Sequence, residues 1–228
     1  ILDVSYDLEV KVTDSLDSEP NVLVKTFTIN IDPAITNTYA LSFNGATQIT
    51  KTPNTEFNPD TDDAFSISTW IKRLTAGTSD TVVTSLDTNN NNQGWIVYFD
   101  GNANNRLSVN LNFNAANQIR TRFTLGASTI NSWHHLVVTY DGSGNANGIN
   151  VYLDGVPALR VVQENGLGSN SIRNDDSFFY IGGRGNNSQN ADMYIDQTAF
   201  FNKELSLSEV GTMYNGGVVE DIRLKELL

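Results

Sequence analysis

The sequence of 228 residues predicts an all-β fold, a sandwich of two antiparallel sheets with one short helix near the C-terminus. From residue 38 onward, short segments rich in β-branched and aromatic residues follow one another with no helical periodicity between them. Asn-Gly and Asp-Gly pairs, such as Asn44-Gly45 and Asp141-Gly142, separate these segments and tolerate the positive φ of tight hairpins. Within segments such as 135–140, every second residue is apolar (Leu136, Val138 and Tyr140), so that one row can face a core.

The first 33 residues predict a separate β-hairpin. Residues 6–12 and 23–31 each alternate with period two, and a polar turn at 14–21 joins them before Asp32-Pro33 ends the second strand. Two strands alone are marginal in water, so neighbouring strands are expected. The pattern resembles the last two strands of cadherin-like or Ig-like repeats, and we interpret the chain as a piece of a longer protein.

The strands of the sandwich are expected in ten segments between residues 39 and 200. They are 39–43, 65–72, 81–86, 95–99, 106–111, 118–123, 135–140, 149–153, 178–181 and 193–200. A helix should follow, because Ser206 and Glu209 have the spacing of a capping box and Leu205 and Val210 bracket them as a hydrophobic staple. Gly216-Gly217 should end it.

The composition narrows the classes of partner. The net charge of −12 argues against nucleic acid and against an anionic membrane surface, since phosphate binding needs a basic footprint. The acidity fits either plain solubility or a chain that meets calcium outside the cell. The absence of Cys excludes disulfides, thiolate metal sites and a Cys nucleophile. We see no apolar run long enough to span a bilayer, and we expect an extracellular location, on a cell or virion surface.

Four stretches together resemble one family. They are the segments 39–45, 65–72, 133–142 with 151–155, and 180–183 with 194–196, 201–206 and 213–216. The chain is similar to the laminin-G-like, concanavalin A-like lectin/glucanase superfamily. The resemblance implies a jelly-roll domain over residues 34–217, after residues 1–33 and before a linker or next segment at 218–228. Similar modules occur in bacterial surface proteins and in phage tail or capsid-decoration proteins.

The residues that glycanases of this superfamily require are missing. Hydrolysis needs two carboxylates that flank one glycosidic bond, about 5–5.5 Å apart in retaining enzymes. On a strand they would appear as acids on one face, and no predicted strand carries them. His134 and His135 have no evident Ser or Cys nucleophile partner. We interpret the domain as non-catalytic and keep a glycan hydrolase as a distant third hypothesis.

The resemblance also implies a structural calcium ion. The matching positions are Asn44, the carbonyl of Gly45, and Asp196, which are oxygen ligands of the kind that Ca²⁺ prefers. Asn44 stands where an Asp is frequent in the family. The alternative is that Asn44-Gly45 is only a turn and Asp196 only caps a strand end.

A carbohydrate site is predicted on the hairpin formed by 106–111 and 118–123. If Leu107, Val109 and Leu111 pair inward with Ile119, Thr121 and Phe123, four polar residues face outward, namely Asn110, Asn112, Arg120 and Arg122. Amides and guanidinium groups match the hydroxyls and carboxylates of glycans. Trp95 and Tyr98 could add stacking, and Arg184 in the last loop is a further candidate. The alternative is an ordinary solvated face. Trp70 and Trp133 are expected to pack in the core or at a sheet edge.

Two functions remain open from the sequence. The first is a carbohydrate-binding or adhesion module, calcium-assisted, for a glycan or cell-surface polysaccharide. The second is a structural decoration or fibre module of a phage particle, which contacts other virion or surface proteins. Formation of a homo-oligomer is compatible with either function.

Overall fold

A computed structural model describes residues 4–13, 22–31, 40–51, 53, 55–101, 105–186 and 188–217. Within these residues the chain forms fifteen strands and one α-helix. The first strands are β1 (Val4–Thr13), β2 (Val22–Ile31), β3 (Leu41–Asn44), β4 (Ile49–Lys51), β5 (Phe65–Arg73), β6 (Asp80–Asp87), β7 (Gln93–Phe99) and β8 (Arg106–Asn112). The remaining elements are β9 (Gln118–Thr124), β10 (His134–Tyr140), β11 (Ile149–Leu153), β12 (Val156–Pro157), β13 (Leu159–Asn165), β14 (Phe179–Ile181), β15 (Asp192–Phe201) and α1 (Leu207–Tyr214).

The strands confirm the predicted two-sheet antiparallel sandwich. One sheet has six strands in the order β12-β11-β10-β5-β15-β3, and the other has seven in the order β13-β9-β8-β7-β6-β14-β4. Neighbouring strands are antiparallel throughout both sheets. Apolar side chains from both sheets form one core, including Phe65 and Leu136 from the six-stranded sheet and Phe99 and Leu107 from the other.

The predicted pairing of β8 with β9 is confirmed. Leu107 lies opposite Phe123, and Leu111 lies opposite Ile119. These four side chains are at most 1% exposed. Because side chains alternate along a strand, this register sends every second residue of both strands to the outer face of the seven-stranded sheet.

The N-terminal hairpin is present as an antiparallel pair, in which Tyr6 is the register partner of Ile29 and Leu8 that of Phe27. Its origin in an Ig-like or cadherin-like repeat stays a prediction. The predicted turn at 14–21, the domain boundary near residue 34 and the segment 218–228 lie outside the described residues. None of the helices that the structure describes has the length and apolar character needed to cross a membrane.

The sequence analysis missed three strands. β4 and β12 contain only 3 and 2 residues. β13 is an edge strand whose side chains are mostly exposed, so it lacks the alternation that burial of one face imposes.

The outer face of the six-stranded sheet is covered by α1. Val210 of the helix is buried against Val137 and Leu205. Tyr214 stacks on the Trp70 and His135 rings, with centroid separations of 6.2 and 6.3 Å. Trp70 therefore packs as expected, although it points away from the main core.

The predicted capping box begins this helix. The Ser206 hydroxyl accepts from the Glu209 N–H, and the Glu209 carboxylate accepts from the Ser206 N–H at 2.8 Å. The Lys203 ammonium at 2.5 Å, the Ser206 N–H, and the Ser206 hydroxyl, which donates to the same carboxylate at 2.9 Å, lower the pKa of the Glu209 carboxyl to about 2. The helix end therefore keeps its charged cap in mildly acidic solution.

Replacement of the cap should weaken the fold measurably. We expect Ser206→Ala to lower the free energy of unfolding by about 1 kcal/mol, because N-cap hydroxyls contribute roughly that amount. Urea denaturation gives the value. Ser208→Ala, which removes an exposed hydroxyl inside the same helix, is the matched control. Equal losses in the two variants would show that the cap contributes nothing of its own.

Candidate functional site

The outer face of the seven-stranded sheet carries a concavity of about 190 Å³. Its walls contain two guanidinium groups (Arg120 and Arg184) and the phenol of Tyr98. Seven side-chain amides complete the polar lining, and they are Asn91, Asn92, Asn110, Asn112, Asn114, Gln118 and Gln189. We call this concavity the amide pocket. Such a lining offers many hydrogen-bond donors and acceptors in a small volume.

Three neighbouring strands form the floor of the amide pocket. Asn110 of β8 lies between Ile96 of β7 and Arg120 of β9, and the next outward pair is Asn112 with Gln118. Adjacent strands are about 4.8 Å apart, so these side chains stand side by side on one face. The inward rows of the same strands are core residues, and their packing holds the outward rows in register.

The loop between β14 and β15 brings Arg184 to this floor. Its guanidinium donates to Asn92 Oδ1 at 2.9 Å and to Gln189 Oε1 at 3.2 Å. The loop passes close to Tyr180, because a Cβ on Gly185 would lie 2.5 Å from the Tyr180 ring. Gly185 also has a φ of +88°, so a side chain there would displace the backbone that presents Arg184.

Several polar atoms of the amide pocket are buried without a hydrogen-bond partner among the described residues. They are Asn110 Oδ1, Asn112 Oδ1, Arg120 Nε and Arg184 Nε. A buried polar atom that makes no hydrogen bond costs about 1–3 kcal/mol, and such atoms are rare in native proteins. Further atoms elsewhere in the described residues share this condition, so the suitability of the pocket for a hydrogen-bonding ligand rests on its polar lining as a whole.

The structure brings together five of the seven residues predicted as carbohydrate ligands. Tyr98, Asn110, Asn112, Arg120 and Arg184 all line the amide pocket. Their role in binding stays a prediction.

The prediction for Trp95 was wrong. Trp95 is 1% exposed, belongs to the core, and donates its indole N–H to the Phe57 carbonyl at 2.9 Å. Trp95 and Tyr98 are three residues apart on one strand, so the period of two places them on opposite faces. They cannot stack on the same sugar.

Arg122 shares the face but lies outside the residues that line the amide pocket. Its Nε is 3.3 Å from a carboxylate oxygen of Asp100, which Arg106 also contacts at 2.7 Å. Arg122 also donates to Gln163 at 3.0 Å. It is held in an ion-pair cluster beside the pocket.

Sequence reasoning missed the apolar lining residues Ile96 and Ala115 and five polar ones, Asn91, Asn92, Asn114, Gln118 and Gln189. Gln118 could have been predicted from the sequence, because it lies in the same outward row as Arg120 on one strand. The other polar residues lie in loops, and their approach to the pocket depends on loop conformations that no periodicity reveals.

The three residues proposed for calcium do not fit one ion. Asn44 is the register partner of Asp192, so Asp196 lies four residues farther along β15, roughly 13 Å away at about 3.4 Å per residue. Asn44 Oδ1 instead accepts from the Ala46 N–H at 3.2 Å, as expected for a plain turn. No group of three or more His, Cys, Asp and Glu suited to a metal occurs among the described residues.

The expectation that the histidines have no Ser partner is wrong for His135. Its Nε2 lies 2.8 Å from Ser68 Oγ, but both residues are at most 1% exposed, beneath the Tyr214 ring. A nucleophile there could not reach a glycan. His134 pairs with Asp154 at 2.6 Å.

Comparisons with known proteins agree with this architecture. Residues 43–211 match a family model described as the concanavalin A-like lectin/glucanases superfamily. No curated protein sequence matches the chain.

Solved structures with the same fold include two toxin binding domains and a pentraxin. The binding domain of Paraclostridial Mosquitocidal Protein 1 is 17% identical with a TM-score of 0.58, over 94% of this chain and 48% of that one. The botulinum neurotoxin serotype D ligand binding domain, solved in complex with N-acetylneuraminic acid, is 19% identical with a TM-score of 0.56, over 78% and 41%. The heptameric SAP-like pentraxin from Limulus polyphemus is 18% identical with a TM-score of 0.54, over 79% and 87%. The chain thus spans less than half of each toxin domain, and these identities show the fold alone.

Trp95 is buried and Trp133 is exposed, so a comparison of their variants tests whether Trp95 belongs to the core. We expect Trp95→Ala to lower the free energy of unfolding by about 3–5 kcal/mol, as for other buried Trp truncations. Trp133 packs on Tyr194 and is 39% exposed. Trp133→Ala should therefore lower the free energy of unfolding by much less, about 1 kcal/mol. Chemical denaturation compares them. A Trp95 variant as stable as the native chain would contradict its place in the core.

Proposed function

Because the chain belongs to the concanavalin A-like lectin/glucanase superfamily, we propose that it is a non-catalytic carbohydrate-binding module whose ligand occupies the amide pocket. The observation that carries this proposal is the concentration of hydrogen-bonding side chains around one concavity, namely seven amides, the phenol of Tyr98 and the guanidinium groups of Arg120 and Arg184. A sugar presents hydroxyl groups, each of which both donates and accepts, so one ring can bond several of these side chains at once.

The size of the amide pocket supports a short polar ligand. Its volume of about 190 Å³ is many times the roughly 10–15 Å³ that one water needs by the same measure, so the pocket can admit a ligand larger than water. Ile96 and Tyr98 give the floor an apolar component against which the C–H face of a sugar can lie.

The lining also supports the absence of catalysis. No Asp or Glu lines the amide pocket among the residues that the structure describes. Glycoside hydrolysis by the common mechanisms needs two carboxyl groups at the scissile bond. The solved neighbours are named as binding domains, and one was solved with N-acetylneuraminic acid. We extend the proposal to display on a cell or virion surface, where a glycan-binding module meets its ligand.

Truncation of the floor amides tests the site. In a glycan-array screen with the full chain, followed by calorimetry on the best ligand, we expect Asn110→Ala and Asn112→Ala each to weaken binding about tenfold. Each loses hydrogen bonds to the ligand, and tenfold corresponds to about 1.4 kcal/mol. Thermal unfolding should show that both variants remain folded.

Trp133→Ala is the matched control, because Trp133 is an exposed aromatic near Tyr194 on the other sheet. It should bind like the native chain. A loss confined to the Trp133 variant would move the site to the six-stranded sheet, and no binding to any glycan class would reject the proposed function.

A structural module that acts through protein contacts is the second candidate, and one observation favours it. β13 forms an edge of the seven-stranded sheet and exposes three apolar side chains, Leu159 at 71%, Val161 at 48% and Val162 at 42%. An exposed apolar edge strand is a template for strand pairing. A second copy of the chain is the simplest occupant, since two identical antiparallel edges are self-complementary.

Oligomeric state distinguishes this candidate. If β13 pairs with its copy, light scattering of the full chain should give a dimer that Leu159→Lys with Val161→Lys converts to a monomer, because charged edges resist pairing. Val156→Lys, at the edge of the other sheet, is the control and should remain a dimer. A native chain that is monomeric at high concentration would reject self-pairing through this edge.

A further inference from the structure

The amide pocket differs in charge from the rest of the protein. The chain has 26 acidic and 14 basic residues. Among the described residues that line the pocket, however, the ionisable groups that carry charge at neutral pH are two arginines, Arg120 and Arg184. A local excess of positive charge inside an acidic protein favours an anionic ligand and disfavours the protein's own acids.

Arg184 lacks an acidic partner, unlike most other arginines that the structure describes. Carboxylates pair with the guanidinium groups of Arg73, Arg106, Arg120, Arg122 and Arg173. Arg160 donates to backbone carbonyls at 2.7 and 2.9 Å. Arg184 donates to neutral amides alone among the described residues, and its Nε makes no bond there.

The environment of Arg184 makes this arrangement unfavourable without a ligand. The side chain is half-buried, and that burial lowers the pKa of its guanidinium, with the nearby Tyr98 acting in the opposite direction. A charge removed from water without a counterion is destabilising. The two amide oxygens orient the guanidinium but do not neutralise it.

Arg120 plays a different part. Its Nη1 lies 3.0 Å from Glu164, whose other oxygen accepts from Gln118 at 2.5 Å. Glu164 thus balances the charge of Arg120. The pocket therefore has one uncompensated positive charge, at Arg184, surrounded by neutral hydrogen-bonding groups.

We propose that the amide pocket selects an acidic sugar, whose anionic group pairs with Arg184 while its hydroxyls bind the floor amides. This inference rests on the proposed carbohydrate-binding function. A planar carboxylate suits the guanidinium fork, which can donate two parallel bonds to it, and a sulfate offers the same acceptor chemistry. A neutral sugar would leave the Arg184 charge desolvated and unpaired, so it should bind more weakly.

Matched pairs of probes test the inference. Calorimetry with the full chain would compare oligogalacturonate with its methyl ester, sialyllactose with lactose, and a sulfated keratan oligosaccharide with its desulfated form. We expect the acidic member of at least one pair to bind about tenfold or more tightly, with an affinity that falls as salt rises. The pair whose two members differ in affinity shows whether the preferred anionic group is a carboxylate or a sulfate.

Variants of Arg184 complete the test. Arg184→Gln should remove the preference for the acidic member, and Arg184→Lys should retain part of it, since the charge remains but the fork is lost. Arg173→Gln removes the same charge from an exposed loop and should keep the full preference. Thermal unfolding confirms that each variant is folded.

The outcomes separate this inference from the function on which it rests. If neutral and acidic members bind equally and Arg184→Gln changes nothing, the acidic selectivity is wrong while the carbohydrate function stands. If Arg173→Gln abolishes the preference as fully as Arg184→Gln, the effect is one of overall charge and the role of Arg184 is rejected. If no probe and no arrayed glycan binds, the proposed function itself fails.

Discussion

The structure depends on the close packing of inward side chains along β7, β8 and β9. Trp95, Leu107 and Phe123 are at most 1% exposed, and a shift of one residue in any of these strands would move them into solvent. The same register places Asn110 opposite Arg120 on the outer face. The apolar core therefore fixes the geometry of the polar pocket.

This coupling explains how a polar, partly unsatisfied pocket can persist in a stable domain. Each buried polar atom without a partner is destabilising by about 1–3 kcal/mol. Complete burial of a large apolar side chain contributes roughly 1.5–3 kcal/mol, and the core contains many of them. The sandwich can thus hold unpaired donors and acceptors in place before a ligand arrives, which reduces the ordering cost of binding.

The sequence was sufficient to predict structure where side chains alternate along a strand with a period of two. It predicted the sandwich, the pairing of Leu107 with Phe123 and the outward row that contains Asn110. The same rule, applied strictly, would have placed Trp95 in the core and found Gln118. The Asn92 and Gln189 contacts could not be predicted, because they depend on loops whose approach follows no sequence pattern. The calcium assignment failed on register, since only strand pairing shows that Asn44 lies opposite Asp192.

The central claim is that ligand atoms meet the polar side chains that line the amide pocket, on the outer face of the seven-stranded sheet. Nitrogen-resolved NMR of the side chains during a titration with oligogalacturonate or sialyllactose tests it directly. The account predicts that the side-chain amide signals of Asn110 and Asn112 and the Nε–H signal of Arg184 shift together and saturate at one ligand per chain. Shifts centred on the Trp133 indole, with those three groups unchanged, would contradict it.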